Sequence, residues 1–232
     1  MPVFLKHRNE DLVEFMDRED CDLEKLNNTY RQFSTINSLL SGWRRIYNQL
    51  IKPELTSPDR IYTFLDIGFG GGDIPLKIAR WANNDGFKVE VLGIELDDRA
   101  LEFVKMISTP TNVQFRKIHL IELINQGEQF DFVLSNHLLH HLNNKKISVL
   151  LQQSESLARI KVVFSDIHRS DLGYGLYSLF TRPFFRKSFI TPDGLMSIRR
   201  SFTKKELEKI TPEAWQVLSM PLYRLLLIRD KT

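Results

Sequence analysis

At 232 residues and 42% hydrophobic, the chain is long enough for one substantial core, as one domain or a domain with a short appendage. Its 32 Lys plus Arg against 29 Asp plus Glu leave a net charge of +3, too little to point to a nucleic-acid partner by itself. A single cysteine, Cys21, excludes an internal disulfide and a Cys-based zinc cluster, and no run has the roughly 20 apolar residues of a membrane span. The start, Met1-Pro-Val-Phe-Leu-Lys6, lacks the apolar core of a secretion signal, so a soluble, cytoplasmic protein is expected, with surface attachment to a membrane still permitted.

Residues 9 to 25 are rich in acids; Leu12, Phe15 and Met16 supply one apolar strip for a short helix whose remaining residues would face water. From Leu26 to Leu50 apolar residues recur at helical spacing, which predicts one helix, or two broken near Ser41-Gly42. This element either packs on a sheet edge or closes over a ligand, and Tyr30 and Arg31 are its candidates for facing a site. Lys52 to Asp59, with two prolines, reads as a linker.

Ile61 to Ile67 is an apolar strand running into Gly68-Phe-Gly-Gly-Gly-Asp73 and then a helix, the order that presents free backbone N–H groups to a small ligand. Phe87 to Glu95 is a second strand ending in an acid, followed by a helix from Asp97 to Lys105. Asn112 to Ile118 and Phe130 to Asn136 are the third and fourth strands, with a helix expected from His137 to about Leu151. Ala158 to Asp166 is a fifth strand, again closed by an acid. Strands alternating with helices are the mark of a mostly parallel sheet with helices on both faces.

Beyond Asp166 the pattern changes. Gly173 to Ile190 interleaves aromatics with Arg182, Arg186 and Lys187; Thr191-Pro-Asp-Gly194 reads as a turn; Ser201 to Ile210 is a helix capped by Ser201 or Thr203 with Glu206 as the matching acid. Two closing strands follow, Trp215 to Met220 and Tyr223 to Arg229. The aromatic stretch 174–189 has three readings: a core or lid element, an interfacial helix with its cations at lipid headgroups, or a platform for stacking RNA bases.

Asp73 stands where a dinucleotide fingerprint has its third glycine, and its charge disfavours a pyrophosphate there. A ligand with a positive centre, an amine and ribose hydroxyls suits the site better. Leu65-Asp-Ile-Gly-Phe-Gly-Gly-Gly-Asp73, Val91-Leu-Gly-Ile-Glu-Leu-Asp97 and Phe130-Asp-Phe-Val-Leu-Ser-Asn-His-Leu-Leu-His-His-Leu142 resemble, in order, three motifs of the class I S-adenosylmethionine-dependent methyltransferases. The resemblance, over residues 61 to 170, implies an α/β fold: a Rossmann-like three-layer sandwich with a mostly parallel seven-stranded sheet and an antiparallel C-terminal strand. It implies S-adenosyl-L-methionine as cofactor. With the flanking segments read above, the chain divides into an N-terminal helical extension or lid over 1–52 and a methyltransferase domain over 60–232 with an aromatic and basic insertion at about 170–200.

By the same resemblance Asp66, Gly68 and Gly70 surround the methionine portion and adenosine, Glu95 with Leu96 beside it takes the ribose hydroxyls, and Asn136 and His137 border the transferable methyl. A carboxylate such as Glu95 offers two acceptors to two vicinal hydroxyls. Asp73 either caps its helix or reaches the ligand's amino group. His119 falls where many relatives place an aspartate against the adenine amine, with the backbone at Leu120 as the alternative. No metal is implied.

Ser165-Asp-Ile-His-Arg169, Asp193 to Phe202 and Asn28-Thr-Tyr-Arg31 are similar to a bacterial branch of small-molecule enzymes resembling quinol and polyketide O-methyltransferases. The candidates for taking the acceptor's proton are His168, His141 and Asp166, with His168 first because it lies just past a strand end. Arg169 is a candidate for orienting an anionic substrate, or a surface charge. The expected reaction is methyl transfer to a hydroxyl of an apolar small molecule. Alternatives are an RNA or tRNA methyltransferase using Arg182, Arg186, Lys187, Arg199, Arg200, Lys204 and Lys205, and a cofactor-binding module without turnover.

Overall fold

The computed structural model describes residues 2–231. Seven strands, β1 (Ile61–Ile67), β2 (Lys88–Glu95), β3 (Val113–Lys117), β4 (Phe130–Asn136), β5 (Ala158–Ile167), β6 (Gln216–Met220) and β7 (Arg224–Asp230), form one sheet in the order β3-β2-β1-β4-β5-β7-β6. The strands pair in parallel from β3 to β5, and β7 runs antiparallel to both β5 and β6. The order reverses between β1 and β4, so the carboxyl ends of these two strands frame a crevice where open α/β sheets take ligands.

Alternation along the strands builds the three layers. Leu65, Ile67, Val133, Val162, Phe164, Leu225 and Leu227 share a core with helices α6 (Asn144–Leu157) and α9 (Lys204–Ile210) on one face. Tyr62, Phe64, Phe132, Leu134, Val163, Leu226 and Ile228 share another with α2 (Trp43–Ile46) and α3 (Asp73–Asn84) on the opposite face. Strands covered on both sides can be apolar on both faces, which is why Phe132, Val133 and Leu134 follow one another in β4 without alternation. A third cluster joins α1 (Leu23–Leu40) and α4 (Asp98–Lys105) through Leu26, Tyr30, Phe103 and Val104.

The break foreseen near Ser41-Gly42 is present: Gly42, at φ 70°, separates α1 from α2, which continues in wider turns to Ile51. Thr203 and Glu206 form the capping box of α9, and β6 and β7 form the closing hairpin. A short helix, α5 (Leu120–Asn125), lies between β3 and β4.

Three local readings are corrected. The helix expected from His137 begins at Asn144, because His137 takes φ 61° and Asn143 caps the helix through Lys146 N–H. Thr191 to Gly194 is the first turn of α8 (Ile190–Arg200), where a proline costs no hydrogen bond. Gly194 belongs there because a Cβ would lie 2.2 Å from the Tyr177 hydroxyl of α7 (Asp171–Phe184). Glu14, expected in water with the other N-terminal acids, is only 3% exposed.

That last correction reflects how the N-terminal segment runs. The backbone N–H of Leu5 donates to Asp171 at 2.8 Å, Asn9 N–H to Arg199 O at 3.0 Å, and Phe15 and Met16 N–H to the Asp193 carboxylate at 2.8 and 2.9 Å. The segment is thereby strapped across α7 and α8, beside the carboxyl ends of the sheet.

Candidate active site

A cavity of about 840 Å³ opens at the crevice between β1 and β4. Its floor is the glycine turn, where Gly68 N–H donates to Ile94 O at 2.9 Å. Gly72 at φ 74° leaves no room for a Cβ, which would meet Phe115 at 2.9 Å, so the turn closes tightly against β3. Asp66, Gly68, Gly70, Asp73 and Glu95 all line the cavity. Glu95 accepts from Gly70 N–H at 3.3 Å and from Leu96 N–H at 2.8 Å, which holds its carboxylate against the turn.

Asp66 is buried, and its Oδ1 has no hydrogen-bond partner. Burial, then the nearby Asp73 and Glu95 carboxylates, push its pKa well above the usual carboxylate range. An unpartnered buried carboxyl on a cavity wall suits a ligand carrying an ammonium or sulfonium charge and N–H donors. Asp73 does not need that ligand: it pairs with Lys77 Nζ at 2.7 Å and accepts from Asn37 Nδ2 at 3.1 Å, tying α1 to α3.

Two expected cofactor residues lie off the wall. Leu96 is 49% exposed beyond the strand end. His119 is exposed and starts α5, where its backbone N–H donates to Glu122 at 3.1 Å. Neither lines the cavity.

On the other side stand Asn136 and His137 at the end of β4. Both are held by Arg224 of β7, whose Nη2 donates to Asn136 Oδ1 at 2.8 Å and to Ser165 Oγ at 2.9 Å, while Nη1 lies 2.8 Å from His137 Nε2. Burial and then the Arg224 charge hold the His137 pKa well below its ordinary value, so the ring is neutral and its Nε2 lone pair is spent on Arg224. Arg224 was not among the expected site residues, although a lone arginine opening the apolar run Leu225 to Ile228 is a signal that could have found it.

The three proposed bases part company. Asp166 is buried and locked to His140: its Oδ1 lies 2.7 Å from the ring Nδ1, and its Oδ2 accepts the His140 backbone N–H at 3.0 Å. Burial opposes ionisation, but the His140 charge and hydrogen bond outweigh it and hold Asp166 well below the usual range. Burial likewise opposes charge on His140, yet Asp166 and Glu14 raise its pKa to about 9. Asp166 is thus the counter-ion of a histidinium; it does not line the cavity.

His141 lines the cavity but is committed to Asp17, with Nδ1 3.2 Å from Oδ2. His168 lines the cavity too, half-buried at the end of β5, with its pKa lowered first by burial and then by Arg169.

Of the three expected substrate contacts, only Tyr30 reaches this cavity, buried on α1. Arg31 bonds to Asn28 at 3.0 Å and lines a separate groove with Lys77 and Arg80. Arg169, offered as a substrate contact or a surface charge, is neither: it is 1% exposed and donates to Leu5 O at 2.9 Å, to Ser201 O at 2.6 Å and to Glu206 at 2.5 Å. Its task is to hold the N-terminal strap to α9. Arg200 also leaves the expected basic surface, being buried with its Nη1 3.6 Å from Asp17.

The roof is apolar. Leu176, Phe180, Phe184 and Phe185 of the 174–189 stretch line the cavity with Phe33, Leu39 and Leu40 of α1, and Glu14, Met16 and Asp17 of the strap close the remaining side. Glu14 Oε1 lies 3.4 Å from His140 Nε2 and accepts from Ser197 Oγ at 2.7 Å, so strap, α8 and the β4 loop meet at one carboxylate.

Residues 64–160 match the family model described as a methyltransferase domain. No curated protein matches the chain in sequence. Among solved structures, the plantazolicin methyltransferase BpumL in complex with SAH is similar with a TM-score of 0.65 at 14% identity, over 92% of each chain. Human N-acetylserotonin methyltransferase in complex with SAM gives 0.62 at 12% identity, over 90% of this chain and 56% of that one. An O-methyltransferase family protein from Burkholderia thailandensis gives 0.58 at 13%, over 88% and 58%. The chain therefore shares the fold of these structures, and residues 64–160 within it resemble a methyltransferase domain.

Proposed function

We propose that this class I methyltransferase domain transfers a methyl group from S-adenosyl-L-methionine to a hydroxyl of a mainly apolar small molecule. The carrying observation is the cavity itself: the carboxylates of Asp66 and Glu95 lie on the glycine-turn side, and an aromatic and aliphatic roof lies on the other. When bound, S-adenosylmethionine supplies an electrophilic methyl on a sulfonium. Glu95 would take the ribose hydroxyls, Asp66 the amino-acid end, and Asn136 with His137 the region of the methyl. The similar structures with SAM or SAH bound support that assignment of the cofactor.

Methyl transfer is an in-line displacement, so most of the protein's work is to hold acceptor oxygen and methyl collinear and to exclude water. The roof from α1, α7 and the strap does both, and the N-terminal extension with the 174–189 stretch acts as the lid. Of the three proposed bases, His168 alone reaches the cavity without an acidic partner, and its lowered pKa keeps it neutral and able to take a proton near pH 7. An open cavity beside the expected methyl argues against a module without turnover, and its apolar lining favours a small molecule over a nucleic acid.

Leu172 and Leu179 of α7 are 62% and 69% exposed outside the cavity, with Arg182, Arg186 and Lys187 close in sequence. This supports peripheral contact with anionic lipid, from which an apolar acceptor would enter.

The test is calorimetric binding of S-adenosylmethionine, followed by transfer of labelled methyl to long-chain alkylphenols. Glu95→Ala should weaken cofactor binding at least tenfold, since each hydrogen bond to a charged group contributes about 1.5–3 kcal/mol. Equal affinity of variant and wild type would overturn the ribose assignment.

A further inference from the structure

Among the described residues Arg224 is the only arginine or lysine lining the cavity, and nothing in the proposed chemistry so far uses its charge. It is 3% exposed and lines the cavity. Its three hydrogen-bond partners, Asn136 Oδ1, His137 Nε2 and Ser165 Oγ, are all neutral. Among the described residues no carboxylate oxygen lies within 4.0 Å of it. A guanidinium has five N–H donors. Three are accounted for, and the buried Nε has no partner.

The charged groups around it do not neutralise it. Asp166 of β5 is the nearest acid in its influence, but that carboxylate is engaged by the His140 ring, the His140 backbone and Ile167 N–H. His137 of the β4 loop is neutral beside it, His140 is cationic, and His141 faces Asp17 and Glu14 of the strap. His168, just past β5, is neutral. Burial lowers the pKa of Arg224 only to about 10, so it stays charged at neutral pH. A buried cation with neutral partners and spare donors is costly unless a ligand brings the anion.

We propose that Arg224 is the anion site of this cavity and that the methyl acceptor is the oxyanion of an acidic hydroxyl, a phenol or enol, held beside Asn136. This rests on the methyltransferase reading above and names the substrate class within it. The division of labour is then clear: His168 or solvent removes the proton beforehand, and Arg224 stabilises the charge left behind. In the transfer itself the oxyanion's electron pair forms the new O–CH₃ bond as the S–CH₃ bond breaks with its pair going to sulfur. The products are a neutral ether and a neutral thioether, and no proton moves. Weakly acidic aliphatic alcohols would be poor acceptors because they remain un-ionised.

A 2-nitrophenol bearing an octyl chain para to the hydroxyl tests this without turnover, since only its phenolate absorbs in the visible. The probe is titrated from pH 5 to 9 with the full chain and S-adenosylhomocysteine, and calorimetry first checks that the homocysteine compound binds. Bound to wild type, its ionisation midpoint should fall by about one pH unit or more relative to the free probe, the effect expected of an opposite charge within about 4–6 Å. Arg224→Lys should keep much of that fall, and Arg224→Met should abolish it while S-adenosylhomocysteine still binds. A midpoint at or above the free value in wild type, no binding of the probe to wild type, or an unchanged midpoint in Arg224→Met would each overturn the proposal. Loss of S-adenosylhomocysteine binding by wild type would instead overturn the cofactor reading on which it rests.

Discussion

Asp66→Asn separates what the glycine turn needs for folding from what it needs for its ligand. Asp66 is buried with Oδ1 unpartnered, and Asp73 and Glu95 add like charge. A carboxyl whose folded pKa is raised binds its proton more tightly folded than unfolded. Its presence is therefore harmless below the ordinary carboxylate range near pH 4 and increasingly destabilising as pH rises from there towards the folded value. Replacing it with a neutral amide of the same shape removes a charge but leaves a buried polar group, so the expected gain without ligand is of order 1 kcal/mol. For a chain of this size that raises the melting temperature by about 2–4 °C. The gain should be present at pH 8 and shrink towards zero at pH 4. Affinity for S-adenosylmethionine should move the other way, weakening about 10- to 150-fold for the loss of one charge-assisted hydrogen bond of about 1.5–3 kcal/mol. Scanning calorimetry with and without ligand measures both. An unchanged or lower melting temperature at pH 8 combined with undiminished affinity would show that Asp66 is a satisfied structural carboxyl with no part in binding.

His168→Ala should slow methyl transfer to an alkylphenol most at low pH, where the acceptor is least ionised, while leaving cofactor affinity intact; a pH–rate profile parallel to wild type would remove His168 from proton transfer. The strap should loosen in alkali: with its folded pKa raised to about 9, His140 contributes fully below about pH 6.5 and loses that contribution as pH climbs through about 9. Asp193, raised to about 7 mainly by burial, has completed most of its own change by pH 8, so the window from pH 8 to 9.5 is dominated by His140. Hydrogen exchange at the Phe15 and Met16 amides, corrected for intrinsic rates, should lose protection several-fold across that window in wild type and not in His140→Gln; equal pH dependence in both would refute a part for His140 in holding the strap. Vesicles of mixed neutral and anionic phospholipid should bind wild type and release the Leu179→Glu variant, and co-sedimentation that does not distinguish the two would remove the membrane surface.

The sheet and the glycine turn were legible because their causes are local. A strand buried on both faces is apolar at successive positions, as at Phe132, Val133 and Leu134, and a turn that packs against Phe115 and carries Gly72 at φ 74° must be glycine, so both leave marks in consecutive residues. The acceptor side was less legible because its pieces are brought together from far apart. Glu14 and His140 are 126 positions apart, and nothing in an acidic N-terminal run sets Glu14 apart from its solvated neighbours until the strap is laid over α8. Asp166 and Arg169 failed as chemical groups for a related reason: at a strand end a charged side chain can turn towards the crevice or into the fold. The choice was made by the His140 ring for one and by the backbone carbonyls of Leu5 and Ser201 for the other. Arg224 had the opposite fate. It sits at the start of β7, pairs with Ile167 in register, and so reaches across β5 to the end of β4 with no acid in its path. Inward-facing charges at strand ends are therefore informative only in proportion to what remains unpaired after folding; by that measure Asp66 Oδ1 and Arg224 Nε, both at strand ends and both without a partner, have binding capacity left.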